Sequence, residues 1–316
     1  TADAAWMAGM LRLKREDLAA ALSRNLGVPP LMIGVLVMGF GTSLPELLVS
    51  VFASLGGSTG LALGNAYGSN ILNIGIVLGL AAMLSPVSVA NHVVRRELPL
   101  LILATLVTAY LMMDLALSRG ESSLLLVFFF LVLAYLSWDA LRQPAGTRPD
   151  AMKREEGDPE LPLGKSIVYL VFGLVVIALG SAALVWGAHG IVTDLGVSEA
   201  VVAVMVLALG TSLPELVVII IAAQRGKHGL AFGNVIGSNL FNTLAVIGTA
   251  GFITPAVLDV ELVYRDLPVM FAFTAALVIM AYGWGRRTGV INKVEGAVLL
   301  LASAGYLAYL ARLTPL

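Results

Sequence analysis

The sequence predicts an all-α polytopic membrane protein of ten transmembrane helices, arranged as two inverted-topology five-helix repeats. Three observations lead there. Of 316 residues, 59% are hydrophobic and 12% charged, against about 25% charged in a soluble domain, and the mean hydropathy is +0.93. The apolar residues fall in long runs separated by short polar loops, and roughly 20 such residues cross ~30 Å of hydrocarbon. The chain also matches itself: residues 25–79 align without a gap to 194–248 at an offset of 169, with 26 identities by direct count in those 55 positions.

Leu26-Gly27-Val28 recurs as Leu195-Gly196-Val197, and Gly41-Thr42-Ser43-Leu44-Pro45-Glu46 recurs as Gly210-Thr211-Ser212-Leu213-Pro214-Glu215. Gly64-Asn65 and Gly68-Ser69-Asn70 return as Gly233-Asn234 and Gly237-Ser238-Asn239, and Arg96-Glu97-Leu98-Pro99 as Arg265-Asp266-Leu267-Pro268. Farther on, Leu133-Ala134-Tyr135-Leu136 matches Leu307-Ala308-Tyr309-Leu310 at offset 174, so the second half carries five extra residues between its last two spans. The first repeat occupies 1–141, with spans near 2–23, 29–55, 60–84, 97–117 and 121–141. The second occupies 166–316, with spans near 166–192, 197–223, 229–253, 267–284 and 294–313. The duplicated blocks are 29–84 and 197–253. Each span is helical, because lipid leaves backbone N–H and C=O groups no partners outside the segment. Between the halves, 142–165 holds ten charged residues and four prolines, which reads as a cytoplasmic linker.

Charge placement sets the orientation, because Lys and Arg concentrate in inward loops. With the N-terminus outside, the inward segments hold thirteen: Arg24; Arg95, Arg96; Arg142, Arg148, Lys153, Arg154, Lys165; Arg225, Lys227; Arg286, Arg287 and Lys293. Outward segments hold Arg119, Arg265 and Arg312. An odd number of spans per repeat turns the halves opposite ways, the inverted arrangement common among transporters. The first span fits badly, since it carries Arg12, Lys14, Arg15, Glu16 and Asp17 at about 2.5–3.5 kcal/mol per charge at the midplane. That helix is expected to be displaced, partly interfacial or shortened at its start. The chain opens Thr1-Ala2-Asp3 without a Met or a signal segment, so its natural start is expected upstream.

The composition leaves little room for other classes. Nothing suggests a nucleic-acid partner, and the absence of cysteine removes disulfides and thiolate metal sites. Hard oxygen ligands remain. Glu46 lies in an otherwise uncharged stretch from Leu31 to Leu55, and Glu215 is equally isolated between Val201 and Ala223. Carboxylates placed within the membrane by default mark an ion or proton pathway. Pro45 and Pro214 have no N–H to give the carbonyls of Gly41 and Gly210, so a kink and free carbonyls are expected there. Thr42, Ser43, Thr211 and Ser212 add hydroxyls within a turn of each Glu. Ca²⁺ takes six to eight oxygens in tolerant geometry, whereas Mg²⁺ resists dehydration. Ser69 with Asn73, and Ser238 with Asn242, lie four apart on one helical face and could complete the shell, although a buried Asn more often bonds a neighbouring helix. The Gly64-x-x-x-Gly68 and Gly233-x-x-x-Gly237 spacings serve helix packing as readily as ion binding. His92 and His228 fall in loops and His189 near a span end, each read as structural. Asp114 and Asp139 are expected to face headgroups, and Asp259 and Glu261 to sit in a solvated outer loop.

At these residues the chain resembles the calcium/cation antiporter superfamily, nearest the prokaryotic members of its sodium/calcium exchanger branch. The likeness covers almost the whole chain and rests on the paired Gly-Thr-Ser-Leu-Pro-Glu and Gly-Asn-x-x-Gly-Ser-Asn blocks. It implies an integral protein of the cytoplasmic membrane, monomeric and cofactor-free, that exchanges Ca²⁺ for Na⁺ by alternating access, the first helix of each half sliding against the rest. It further implies Glu46 and Glu215 as shared Ca²⁺ and Na⁺ ligands with Thr42, Ser43, Thr211 and Ser212 beside them. Ser69 and Ser238 would serve flanking Na⁺ positions, the carbonyls of Gly39 and Ala208 would add backbone oxygens, and Asn73 and Asn242 would complete the middle position. Many relatives have Asp where this chain has Asn242, which argues against potassium dependence. One Ca²⁺ would neutralise two ionised glutamates and three Na⁺ would leave +1, so such exchange is electrogenic. Protons could replace metal at the same carboxylates, which keeps H⁺/Ca²⁺ exchange as the alternative. A cation channel is the remote alternative, and an intramembrane hydrolase lacks the His-x-x-x-His or paired-Asp signature.

Overall fold

The computed structural model describes residues 40–89, 93–142, 163–224, 226, 228–282 and 289–313. The expected span at 2–23, the start of the next, Gly39 and most of the 142–165 linker lie outside the described residues. Five helices among them are long and apolar enough to cross a membrane: Thr59–Leu84, Arg119–Trp138, Ala231–Ile253, Leu262–Ala281 and Lys293–Ala311. Glu199–Thr211 and Leu213–Gln224, bent by 47° at a short break, make a sixth if read as one broken span. Helices at Leu98–Leu111 and Leu163–Leu195 also stand where spans are expected. Two local expectations need correcting. His228 opens the helix His228–Phe241 rather than sitting in a loop, and Leu163 to Lys165 belong to a helix rather than the linker.

The helices bend where the sequence places proline. Phe40–Thr42 and Leu44–Leu55 are separated at Ser43, and Ala208–Thr211 is separated from the next helix at Ser212. In both copies the break falls just ahead of Leu-Pro-Glu, because proline supplies no N–H to the turn behind it. Single π turns occur at Asn73–Leu78 and Asn242–Val246, and again at Val93–Glu97 and Leu262–Asp266. Such turns carry one extra residue per turn and gather at functional sites.

Two short antiparallel ribbons tie the bundle, neither foreseen in the sequence. Val87–Val89 pairs with Gly289–Ile291, and Ala116–Leu117 pairs with Ala256–Val257. They lie at opposite ends. The Thr59 hydroxyl donates to the Thr254 carbonyl beside the second ribbon, and the same helix ends at Leu84 just before the first, ~37 Å away at 1.5 Å per residue.

Glycines set the closest helix contacts. A Cβ on Gly68 would lie 2.6 Å from Ala208 Cβ and 2.9 Å from Val204 Cα, and one on Gly64 would lie 2.6 Å from Ala203 Cβ. The Gly64-x-x-x-Gly68 spacing therefore packs Thr59–Leu72 backbone to backbone against the kinked helix of the other half. A Cβ on Gly296 would come within 2.8 Å of the Gly79 carbonyl, which brings Lys293–Ala311 equally close to the far end of the same helix.

Burial runs opposite to that of a soluble protein. Tyr110, Leu131, Trp186 and Leu301 are exposed, while Thr42, Ser43, Glu46, Asn65, Ser69, Asn73, Glu215, Asn239 and Asn242 are buried. An aqueous surface rarely carries so much contiguous apolar area, whereas lipid accepts it. Asp266, also fully buried, is neutralised by its neighbour Arg265, whose Nε and Nη2 reach its two oxygens at 2.6 and 3.0 Å, and it accepts a bond from the Tyr306 hydroxyl.

Candidate cation site

Both proline breaks place a glutamate at the start of a helix. Glu46 lies in the first turn of Leu44–Leu55 and Glu215 in that of Leu213–Gln224, where the positive end of the helix dipole favours a carboxylate. Each is 0% exposed, and Ser43, three residues before Glu46, touches the Glu215 carboxylate, so the two face one another across the halves. Ser43 occupies the N-cap position, where serine usually accepts from the following turn. It makes no such bond. Its hydroxyl instead donates to Glu215 Oε1 at 3.2 Å, so the cap residue of one half serves the carboxylate of the other.

Four more of the expected residues meet in two pairs. Thr211 Oγ1 lies 3.3 Å from Ser69 Oγ, and Asn73 Nδ2 donates to Ser238 Oγ at 3.2 Å. Both bonds join residues from different halves. The Asn73 N–H still bonds the Ser69 carbonyl, so the two keep their four-residue spacing on one face, and their side chains reach Ser238 and Thr211 respectively. The Ala208 carbonyl accepts from Ser212 N–H at 3.0 Å. Gly39 lies outside the described residues.

Several buried polar atoms here have no hydrogen-bond partner among the described residues: both Glu46 carboxylate oxygens, Ser212 Oγ, Asn73 Oδ1 and both polar atoms of the Asn242 amide. The Thr211 hydroxyl is near Glu46 but is turned to Asn65. Orphaned buried polar groups are rare in native proteins and point to an ion, a water or a catalytic role. Oxygens dominate the set, two of the groups are carboxylates, and no Lys or Arg appears among them. That chemistry suits a hard cation such as Ca²⁺ or Na⁺. Among the described residues no group of three or more His, Cys, Asp or Glu could hold a metal, so hydroxyl and amide oxygens must complete any shell.

Sequence reasoning missed a second layer. Asn65 Oδ1 accepts from Thr211 at 3.2 Å while its Nδ2 donates to the Glu46 carbonyl at 3.4 Å. Asn234 Oδ1 accepts from Thr42 at 3.3 Å. Asn70 Nδ2 donates to Thr243 Oγ1 at 2.8 Å, and Asn73 Nδ2 reaches Asn239 Oδ1 at 3.4 Å. The recurrence of Gly-Asn and Ser-Asn in both halves was the available signal, overshadowed by the packing role of the glycines beside them.

The sodium/calcium exchanger protein family model matches residues 16–138 and 165–312. The chain belongs to that family. It is 40% identical over 288 residues to the putative antiporter CaxA of Alkalimonas amylolytica, covering 91% of this chain and 90% of that one. It is 29% identical to the sodium/calcium exchanger MaX1 of Methanosarcina acetivorans, covering 92% of each. A solved structure of the sodium-calcium exchanger NCX_Mj superposes with a TM-score of 0.66 at 29% identity, over 93% of this chain and 92% of that one. The exchanger is therefore an integral membrane antiporter of the Ca²⁺/cation class, a transporter rather than an enzyme.

Proposed function

We propose that the protein exchanges Ca²⁺ for Na⁺ across the cytoplasmic membrane by alternating access at one central site built on Glu46 and Glu215, held between two inverted five-helix repeats. The observation that carries this reading is the buried carboxylate pair, in which Ser43 donates to Glu215 and the Glu46 oxygens have no hydrogen-bond partner among the described residues. Two negative charges in a low-dielectric core are strongly unfavourable unless cations neutralise them. Na⁺ is favoured over H⁺ as the coupling ion because Thr42, Ser43, Thr211, Ser212, Ser69, Ser238, Asn73 and Asn242 offer oxygens that coordinate a metal ion but carry no exchangeable charge. A proton would need the carboxylates alone. The relative named a sodium/calcium exchanger agrees with that choice.

The inverted arrangement has its own support. Shifting Val87–Val89 by 169 lands on Ala256–Val257, and shifting Ala116–Leu117 by 174 lands within Gly289–Ile291. The offsets thus exchange one ribbon for the other, and the ribbons lie at opposite ends. Likewise Gly79 meets Gly296 while its counterpart Gly248 meets Leu125 and Leu126, so each half packs this helix against the last helix of its partner.

Reconstituted protein tests the coupling ion. Ca²⁺ uptake into Na⁺-loaded proteoliposomes, with external Na⁺ removed, should be rapid and should generate a membrane potential. Uptake driven by an imposed H⁺ gradient and indifferent to Na⁺ would overturn the choice of ion.

A further inference from the structure

We propose that Asn65 and Asn234, related by the 169-residue offset, are positioning residues that aim the Thr211 and Thr42 hydroxyls of the opposite half at the transported cation. The inference rests on the two-glutamate reading and extends it to residues outside the proposed ligand set. A threonine hydroxyl has one proton and two acceptor lone pairs. It can serve a cation only when the proton points elsewhere, so a ligand hydroxyl needs an acceptor behind it. Thr211 Oγ1 has three in range, Asn65 Oδ1 at 3.2 Å, the Ser69 hydroxyl at 3.3 Å and the Ala208 carbonyl at 3.4 Å. Taking the nearest leaves the Ala208 carbonyl, itself a proposed ligand, free of that proton and lets the Ser69 hydroxyl donate to Thr211 Oγ1. Thr42 meets Asn234 Oδ1 at 3.3 Å in the same way.

The orientation of the Asn65 amide is fixed independently. Its Nδ2 donates to the Glu46 carbonyl, so Oδ1 must face Thr211. Both asparagines are buried, at 0% and 5% exposure, so water cannot substitute freely as the acceptor. Each threonine bond also crosses the interface between halves. One half thus sets the hydroxyl direction of the other, while Asn65 additionally holds the backbone of its own glutamate.

The test is a double-mutant cycle on the full chain in proteoliposomes. Asn65→Leu removes the acceptor at similar volume. It should raise the Ca²⁺ concentration for half-maximal exchange about five- to tenfold, the scale of one hydrogen bond, with little change in maximal rate. Thr211→Val should do much the same, and adding it to Asn65→Leu should do nothing further, because the asparagine acts through that hydroxyl. Asn65→Asp, which keeps the acceptor, should retain the response to Thr211→Val. If Asn65→Leu does not fold, the cycle of Asn234→Leu with Thr42→Val decides. Fold-changes that multiply, as expected for independent sites, or a fall in maximal rate at unchanged half-saturation, would overturn the proposal. Exchange that survives in Glu46→Gln would instead strike the two-glutamate reading. Inactive glutamate variants combined with multiplying asparagine effects would strike the present inference alone.

Discussion

Glu46 and Glu215 are the two buried glutamates among the described residues, and the Ser43 hydroxyl of one half donates to the Glu215 carboxylate of the other. Asp266 is the instructive contrast: it is equally buried, but Arg265 and Tyr306 satisfy it. Removing charge should therefore act oppositely at the two places. Glu46→Gln relieves repulsion from Glu215 and should melt at or above the wild-type temperature in the absence of cations, while exchange falls by at least about thirtyfold. That scale follows from removing one partner of a buried charge contact at roughly 2–5 kcal/mol. Asp266→Asn should lower stability by about 1.5–3 kcal/mol, the range for a hydrogen bond to a charged group. Thermal melts in detergent, paired with flux measurements, separate the two behaviours. The glutamates and hydroxyls were legible in the sequence because each lies within a turn of its repeated hexapeptide. Asn65, Asn234 and buried Asp266 were not, because each takes a partner from a distant part of the chain, Thr211, Thr42 and Tyr306 respectively.

Helices were legible from apolar run length, and the kinks from Pro45 and Pro214. The π turns and two- or three-residue ribbons carry no periodicity and so escaped notice. The Gly64-x-x-x-Gly68 spacing was ambiguous until the facing backbone was known, and packing is its observed role. A side chain at Gly68 would meet the Val204 and Ala208 backbone region rather than a flexible tip. Gly68→Val should accordingly destabilise the protein by about 1–3 kcal/mol, the usual range for overpacking. Gly41→Val offers a control, since a Cβ there meets nothing within 4 Å among the described residues. A larger loss of melting temperature at Gly41 than at Gly68 would contradict this account of the packing.

Across the whole molecule, the duplication and its offset were the most informative features of the sequence, and the positive-inside charge bias supplied the orientation proposed for it. Absence of cysteine makes that orientation easy to check. Single-cysteine variants at Ser58 and Gly229 should label from opposite faces of the membrane, Ser58 from outside. Ser58 adjoins Thr59, whose hydroxyl bonds the Thr254 carbonyl, and the helix opened by His228 packs on the Val87–Val89 ribbon, so the two sites test the proposed inversion directly. Ligand binding should also register globally, with Ca²⁺ at a hundred times its dissociation constant stabilising the fold by about 2.7 kcal/mol. The shift should vanish in Glu46→Gln.

The most direct measurement is ⁴⁵Ca²⁺ uptake into Na⁺-loaded proteoliposomes, comparing wild type with Glu46→Gln and Glu215→Gln. Wild type should accumulate Ca²⁺ only when Na⁺ is inside, and both folded variants should take up none above empty liposomes. Na⁺-driven uptake that persists in either variant would contradict a single site built on the two glutamates.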